Sequence, residues 1–199
     1  MKYIFHGGES GLPDSEHNKT FYQAWVADFE TEYVPTILLV YYARTQDRWE
    51  EAARQDQERF DRYTEGNRKV NFIVADKDLD IFIQQIQQAD VIYVRGGTTQ
   101  MLLDYLDPVR DLFAQSIIGK LYIGSSAGLS IMCEYARSRP DHNSIWKRGF
   151  GIIPCVGFVH WDEDYREYLD TFKSEHPEYS DDQYLLIPET QWVVYEDEK

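Results

Sequence analysis

Lys120-Leu121-Tyr122-Ile123-Gly124-Ser125-Ser126-Ala127-Gly128-Leu129 is the stretch that decides how this chain is read, because a short apolar strand here enters a helix through Gly-x-Ser-x-Gly. The two glycines flank a turn too sharp for a Cβ, and the central serine, Ser126, is thrust out at its tip. Its hydroxyl then lies near a helix N-terminus, whose free amides favour the negative charge that builds up in acyl transfer. The amide of Ala127, next in the chain, is placed to donate one oxyanion hydrogen bond. The competing reading is that Ser125 or Ser126 only caps the helix, a position serine favours.

Outward from this turn, short runs rich in β-branched and aromatic residues alternate with helical patterns. Strands are predicted at Tyr3–Phe5, Thr36–Tyr42, Val70–Val74, Val91–Val94, Leu121–Ile123, Phe158–His160, Tyr184–Ile187 and Trp192–Tyr195. Helices are predicted at Asn18–Phe29, Asp47–Thr64, Leu79–Gln88, Thr99–Tyr105, Val109–Ile117, Ala127–Tyr135 and Asp164–Ser174. Ile37, Leu38, Leu39 and Val40 form a nearly continuous apolar run, as expected of a strand covered on both faces. Repeated β-then-α units imply a mostly parallel sheet with helices on both sides, in a single α/β domain over residues 1–199. Ligands of such sheets bind beyond the carboxyl ends of the strands. That rule selects His6-Gly7-Gly8-Glu9, Arg95-Gly96-Gly97-Thr98-Thr99-Gln100 and the serine turn.

In the second of these loops Gly97 could supply another oxyanion amide facing Ala127; alone, the loop reads as a tight turn with Thr98 capping a helix. A serine nucleophile needs a base, and the base an acidic partner to fix its tautomer. Among His6, His17, His142, His160 and His176, His160 follows the apolar run Val156–Val159 and so ends a strand on the active edge. Asp141 is the candidate acid, with Asp162, Glu163 and Asp164 as alternatives beside His160.

Composition narrows the partners. A hydrophobic share of 43% and an aromatic share of 15% describe a globular chain of 199 residues. The formal charge of −15 repels a phosphate backbone or an anionic membrane, so neither nucleic acid nor membrane is expected as a partner. A local basic pocket could still accept an anion. Cys133 and Cys155 are too few for a disulfide framework or a four-thiolate zinc site. The apolar stretch within Met1–Gly8 is far too short for a signal-peptide core, and no run approaches the ~20 apolar residues that span a bilayer; a cytoplasmic location is the expectation.

Taken together and in order, these segments resemble peptidase E, the aspartyl dipeptidase family of serine peptidases. Leu121–Gly128 is similar to that family's Tyr-Ile-Gly-x-Ser-Ala-Gly segment, and Gly96–Gln100 with Leu102-Leu103 to its Gly-Gly-Asn-Thr-x-x-Leu-Leu loop. His160 with Trp161 matches its catalytic histidine and aromatic neighbour. Asp141, 15 residues past Ser126, falls where the charge-relay aspartate does, and Ile187-Pro188-Glu189 with Trp192 resembles a late Leu-Pro-Glu-Gly-x-Trp segment. The resemblance implies a three-layer flavodoxin-like fold of the class I glutamine amidotransferase kind, with no metal or other cofactor. It also implies a Ser126-His160-Asp141 triad with Gly97 and Ala127 as oxyanion donors, hydrolysing small dipeptide-like substrates. Arg95 and Thr98 stand where the family has glycine and asparagine, and Arg166 is the cation nearest after His160; these three are the substrate-binding candidates. Two other readings are a non-catalytic binding domain on the same fold and an α/β-hydrolase esterase using His6-Gly7-Gly8. The sequence is compatible with a homodimer but does not set the oligomeric state.

Overall fold

The computed structural model of the protein describes residues 1–13, 15–138 and 146–196. The first half of the chain runs β1 (Lys2–His6), α1 (Glu16–Ala24), β2 (Thr36–Val40), α2 (Trp49–Tyr63), β3 (Asn71–Val74) and α3 (Leu79–Gln88). There follow β4 (Val91–Val94), α4 (Thr99–Leu106), α5 (Arg110–Ser116), β5 (Leu121–Ser125) and α6 (Ala127–Ser130). The chain closes with β6 (Tyr135–Arg137), β7 (Lys147–Arg148), β8 (Val156–Val159), α7 (Arg166–Glu175), β9 (Tyr184–Ile187) and β10 (Trp192–Glu196).

The larger sheet has the order β10-β1-β5-β4-β2-β3, parallel throughout except for β10. Right-handed crossovers explain where its helices lie. The β1-to-β2 and β2-to-β3 connections move across the sheet in one direction and put α1 and α2 on one face. The return through β4 and β5 puts α3 and α5 on the other. The contacts agree, since α1 packs on α2 and α3 on α5. This is the mostly parallel three-layer α/β architecture expected from the sequence, in which β2 and β4 are buried almost throughout.

Local chemistry fixes the helix starts. Ser15 accepts a hydrogen bond from the Asn18 amide at the head of α1, and Asp78 accepts from Asp80 and Ile81 at the head of α3. Trp49, Ala52, Ala53, Phe60 and Tyr63 form the buried stripe of α2, and Asp56 lies on the same stripe.

The region after the serine turn differs from expectation. The predicted helix Ala127–Tyr135 ends at Ser130, and Tyr135 opens β6. Tertiary bonds capture the backbone instead: the Phe150 amide donates to the Ile131 carbonyl at 2.7 Å and the Glu134 amide to Cys155 at 3.0 Å. A second sheet, β7-β6-β8-β9, starts here. Cys133 and Cys155 are free, buried thiols at 3.0 Å from each other between α6 and β8.

Two features of register assemble the site. In the large sheet His6 pairs with Ser125 and Val94 with Gly124, so the loops after β1, β5 and β4 leave the sheet side by side. In the small sheet Val159 pairs with Ile187, so the segments after β8 and β9 emerge together.

Candidate active site

Ser126 sits between β5 and α6 with φ 48° and ψ −101°, a conformation that costs a non-glycine residue about 1–3 kcal/mol. Its neighbours enforce it. A Cβ at Gly124 would lie 2.6 Å from the Gly128 carbonyl carbon, and one at Gly128 would lie 2.4 Å from the Val94 carbonyl oxygen. Strand and helix are therefore in backbone contact, and the chain between them has one path. The Ser126 amide donates to the His6 carbonyl at 2.8 Å, while its side chain makes no capping bond to α6. That disposes of the capping reading for Ser126: its Oγ lies 3.0 Å from His160 Nε2.

His160 follows β8, as the sequence predicts, with φ 54° and its amide donating to the Gly7 carbonyl at 2.9 Å. Its Nδ1 lies 3.2 Å from Glu189 Oε1. An ionised carboxylate only accepts, so Nδ1 carries the proton and Nε2 is left to accept from the serine hydroxyl. The Gly7–Gly8 turn wedges beneath the ring. The Gly7 amide donates to the Gln191 carbonyl and the Thr190 amide to the Gly8 carbonyl, both at 2.9 Å. A Cβ at Gly8, where φ is +135°, would stand 2.0 Å from His160 Cε1.

The carboxylate that meets the His160 ring among the described residues is Glu189. Asp141, given that role by the resemblance, lies outside the described residues, as does His142. Of the alternatives beside His160, Asp162 accepts from the Asp164 amide and Glu163 pairs with Arg166 at 2.7 Å. Glu189 could have been found by the rule that picked out His160, for it lies just past the carboxyl end of the predicted strand Tyr184–Ile187.

A cavity of about 400 Å³ opens over Ser126 and His160, walled by Gly97, Arg44, Arg59 and Glu9 among others. The Arg44 Nε donates to the Gly96 carbonyl at 3.0 Å. Burial, and after it the Arg95 charge, lowers the pKa of the Arg44 guanidinium, which still remains cationic. Arg95 also borders the cavity, but its guanidinium turns inward to Asp56 at 3.2 Å. The other two substrate-binding candidates stand apart from this wall. Thr98 opens α4, and Arg166 pairs with Glu163 and lies over the Trp161 ring at 5.3 Å. Among the described residues no group of three or more His, Cys, Asp or Glu side chains could hold a metal ion, and no helix is long and apolar enough to cross a membrane.

His6, beneath the site, is wholly buried and neutral. The Gly8 amide donates to its Nδ1 at 3.1 Å, so Nε2 carries the proton and donates to Asn18 Oδ1 at 2.9 Å. Burial first, and the nearby His160 next among the lowering influences, depresses its pKa from 6.5 to about 4. Between those values the unfolded chain binds a proton that the folded chain refuses, so stability falls as pH drops through that window. The loss should reach roughly 3 kcal/mol. Urea unfolding across this pH range should show it. His6→Asn, which keeps an acceptor for the Gly8 amide, should be less stable at neutral pH yet flatter in profile. Identical pH slopes for the two proteins would contradict the assignment.

The class is now defined: a serine, a histidine and a carboxylate in hydrogen-bond sequence at the carboxyl edge of a flavodoxin-like α/β sheet, the arrangement of an acyl-transferring hydrolase. The sequence model of peptidase family S51 matches residues 4–199, and the chain belongs to that family and is a peptidase. No curated protein matches it in sequence. Among solved structures it is similar to a peptidase from an acI-B1 Actinobacterium, with a TM-score of 0.64 and 20% identity over 98% of this chain and 82% of that one. A protein from Listeria monocytogenes EGD-e described as a peptidase E gives a TM-score of 0.62 and 17% identity, covering 100% of this chain and 95% of the other. At these identities the likeness is one of fold.

Proposed function

We propose that the protein is a serine peptidase of short, dipeptide-like substrates, working through Ser126, His160 and Glu189. One observation carries the reading: the strained Ser126 has its Oγ 3.0 Å from Nε2 of an imidazole whose Nδ1 is 3.2 Å from a carboxylate. Ser126 Oγ attacks the peptide carbonyl carbon as its proton passes to His160 Nε2, and Glu189 holds the imidazolium through Nδ1–H. The oxyanion takes hydrogen bonds from the Gly97 and Ala127 amides. Neither amide donates elsewhere among the described residues. The intermediate then expels the amine, which takes the proton from Nε2; water next gives a proton to Nε2 and attacks the acyl carbon, and Ser126 Oγ leaves with that proton as the acid is released.

The cavity, at about 400 Å³, matches a small ligand rather than an extended polypeptide. Although the chain carries −15 overall, Arg44 and Arg59 give this wall positive charge, which favours a substrate with a carboxylate near the scissile bond. Dipeptides with a free amino group and Asp, Glu, Leu or Lys in first place test this. Cleavage is expected, with kcat/KM for the acidic members at least ~10-fold above the lysine member, or about 1.4 kcal/mol. No cleavage of any member, or a preference for lysine, would overturn the proposal.

A further inference from the structure

Asp56 occupies the buried stripe of α2, where the helical period asks for an apolar side chain, and it is wholly inaccessible. Four donors converge on it. Oδ1 accepts from the Tyr22 hydroxyl and Arg59 NH1, each at 3.2 Å; Oδ2 accepts from the Tyr41 hydroxyl at 3.1 Å and Arg95 NH1 at 3.2 Å. Burial pushes the carboxyl pKa up, while Arg95 and Arg59 pull it back towards the ionised form. A group this costly to bury needs full satisfaction, and it has it.

What the cluster holds is the loop after β4. Arg95 directly precedes Gly96-Gly97, and its guanidinium is tied also to the Ala52 carbonyl at 2.9 Å and to Gln55 Oε1 at 3.1 Å. On the far side the Thr98 amide donates to the Ala43 carbonyl at 2.9 Å. Between these anchors Arg44 Nε holds the Gly96 carbonyl at 3.0 Å. In a planar trans peptide the carbonyl and the following N–H point in opposite directions. Fixing the Gly96 carbonyl therefore fixes the aim of the Gly97 amide. A Cβ built on Gly96 would stand only 3.1 Å from Ser126 Cβ, so this peptide lies against the nucleophile.

We propose that Asp56 is a positioning residue for peptide hydrolysis: through Arg95 it holds the Gly96–Gly97 peptide in the orientation that presents an amide to the oxyanion. The proposal rests on the serine-peptidase reading above. Asp56 touches no substrate, so its loss should appear in kcat and leave KM nearly unchanged.

The test is steady-state kinetics of Asp56→Asn on the best dipeptide, well below its unfolding temperature and per mole of folded protein, with Ser126→Ala alongside. Loss of an oxyanion donor typically costs 10²- to 10³-fold, so a misaimed donor should lower kcat by about 10-fold or more with KM within about threefold. A purely structural Asp56 would lower Tm and leave kcat per folded molecule unchanged, and that result overturns the proposal, as does a loss confined to KM. If Asp56→Asn does not fold, Tyr41→Phe removes one donor and keeps the charge. It should lower kcat about threefold at constant KM, and an unchanged kcat overturns the proposal. Should Ser126→Ala retain wild-type turnover, the serine reading itself fails; should only Ser126→Ala lose turnover, the reading stands and the role of Asp56 falls.

Discussion

Ser126→Ala is expected to lower kcat/KM by a factor on the order of 10⁴ to 10⁶, or about 5–8 kcal/mol of transition-state stabilisation, while leaving the fold intact. The attacking atom is removed and nothing nearby replaces it. Ser125, the adjacent hydroxyl, belongs to β5 and is buried. Stability should change little, because the serine side chain caps no helix and its Oγ gives up only the bond to His160. Ser126→Gly should be as inactive but more stable by about 1 kcal/mol or more, since glycine relieves the strain at φ 48°. Opposite effects on activity and stability at one position mark a residue kept in its conformation for chemistry. Turnover of a preferred dipeptide and thermal unfolding of the three proteins check this; an Ala variant with wild-type turnover contradicts it.

Glu189→Gln should be nearly as damaging, with kcat lower by roughly 10³- to 10⁴-fold. The glutamine amide can donate to Nδ1, which drives the ring proton onto Nε2, the atom that must accept from Ser126. It also removes the negative charge that stabilises the imidazolium formed during attack. The Glu189 side chain is 38% exposed, so the substitution should not unfold the protein. Asp141→Asn, at the position the resemblance singled out, should cost less than ~10-fold on the same scale. A larger loss at Asp141 than at Glu189 would move the orienting role to Asp141.

Ser126 and His160 are legible in the sequence and Glu189, the carboxylate against the His160 ring, is not, and the difference is one of range. Ser126 announces itself locally, because Gly124 and Gly128 record a strand and a helix in contact within five residues. His160 ends a continuous apolar run, a pattern that needs only the period of a strand. The place of Glu189 depends on β8 and β9 being neighbours in a small second sheet, a pairing that neither segment encodes alone. The same sheet cuts short the helix predicted to Tyr135, since Tyr135 and Ala136 bridge Val156 and Gly157. Tertiary hydrogen bonds there override a locally helical pattern. Arg95 shows the converse. Its position in the site loop was legible, but its direction, inward to Asp56, was set by a charge 39 residues earlier on α2.

The inner strands of the large sheet are legible one by one, because a strand covered on both faces must be almost uniformly apolar. Ile37–Val40 and Val91–Val94 say so directly. What gathers the chemistry is register. His6 opposite Ser125, and Val94 opposite Gly124, bring three glycine-bearing loops to one edge.

Turnover by this site requires Ser126 to be an activated nucleophile, and covalent labelling tests that most directly. Protein treated with a fluorophosphonate, digested and mapped by mass spectrometry should carry one phosphonyl group on Ser126, with labelling lost in Ser126→Ala and strongly slowed in Glu189→Gln. An unlabelled Ser126 in protein that hydrolyses dipeptides, or an adduct on another residue that accounts for the loss of activity, would contradict it.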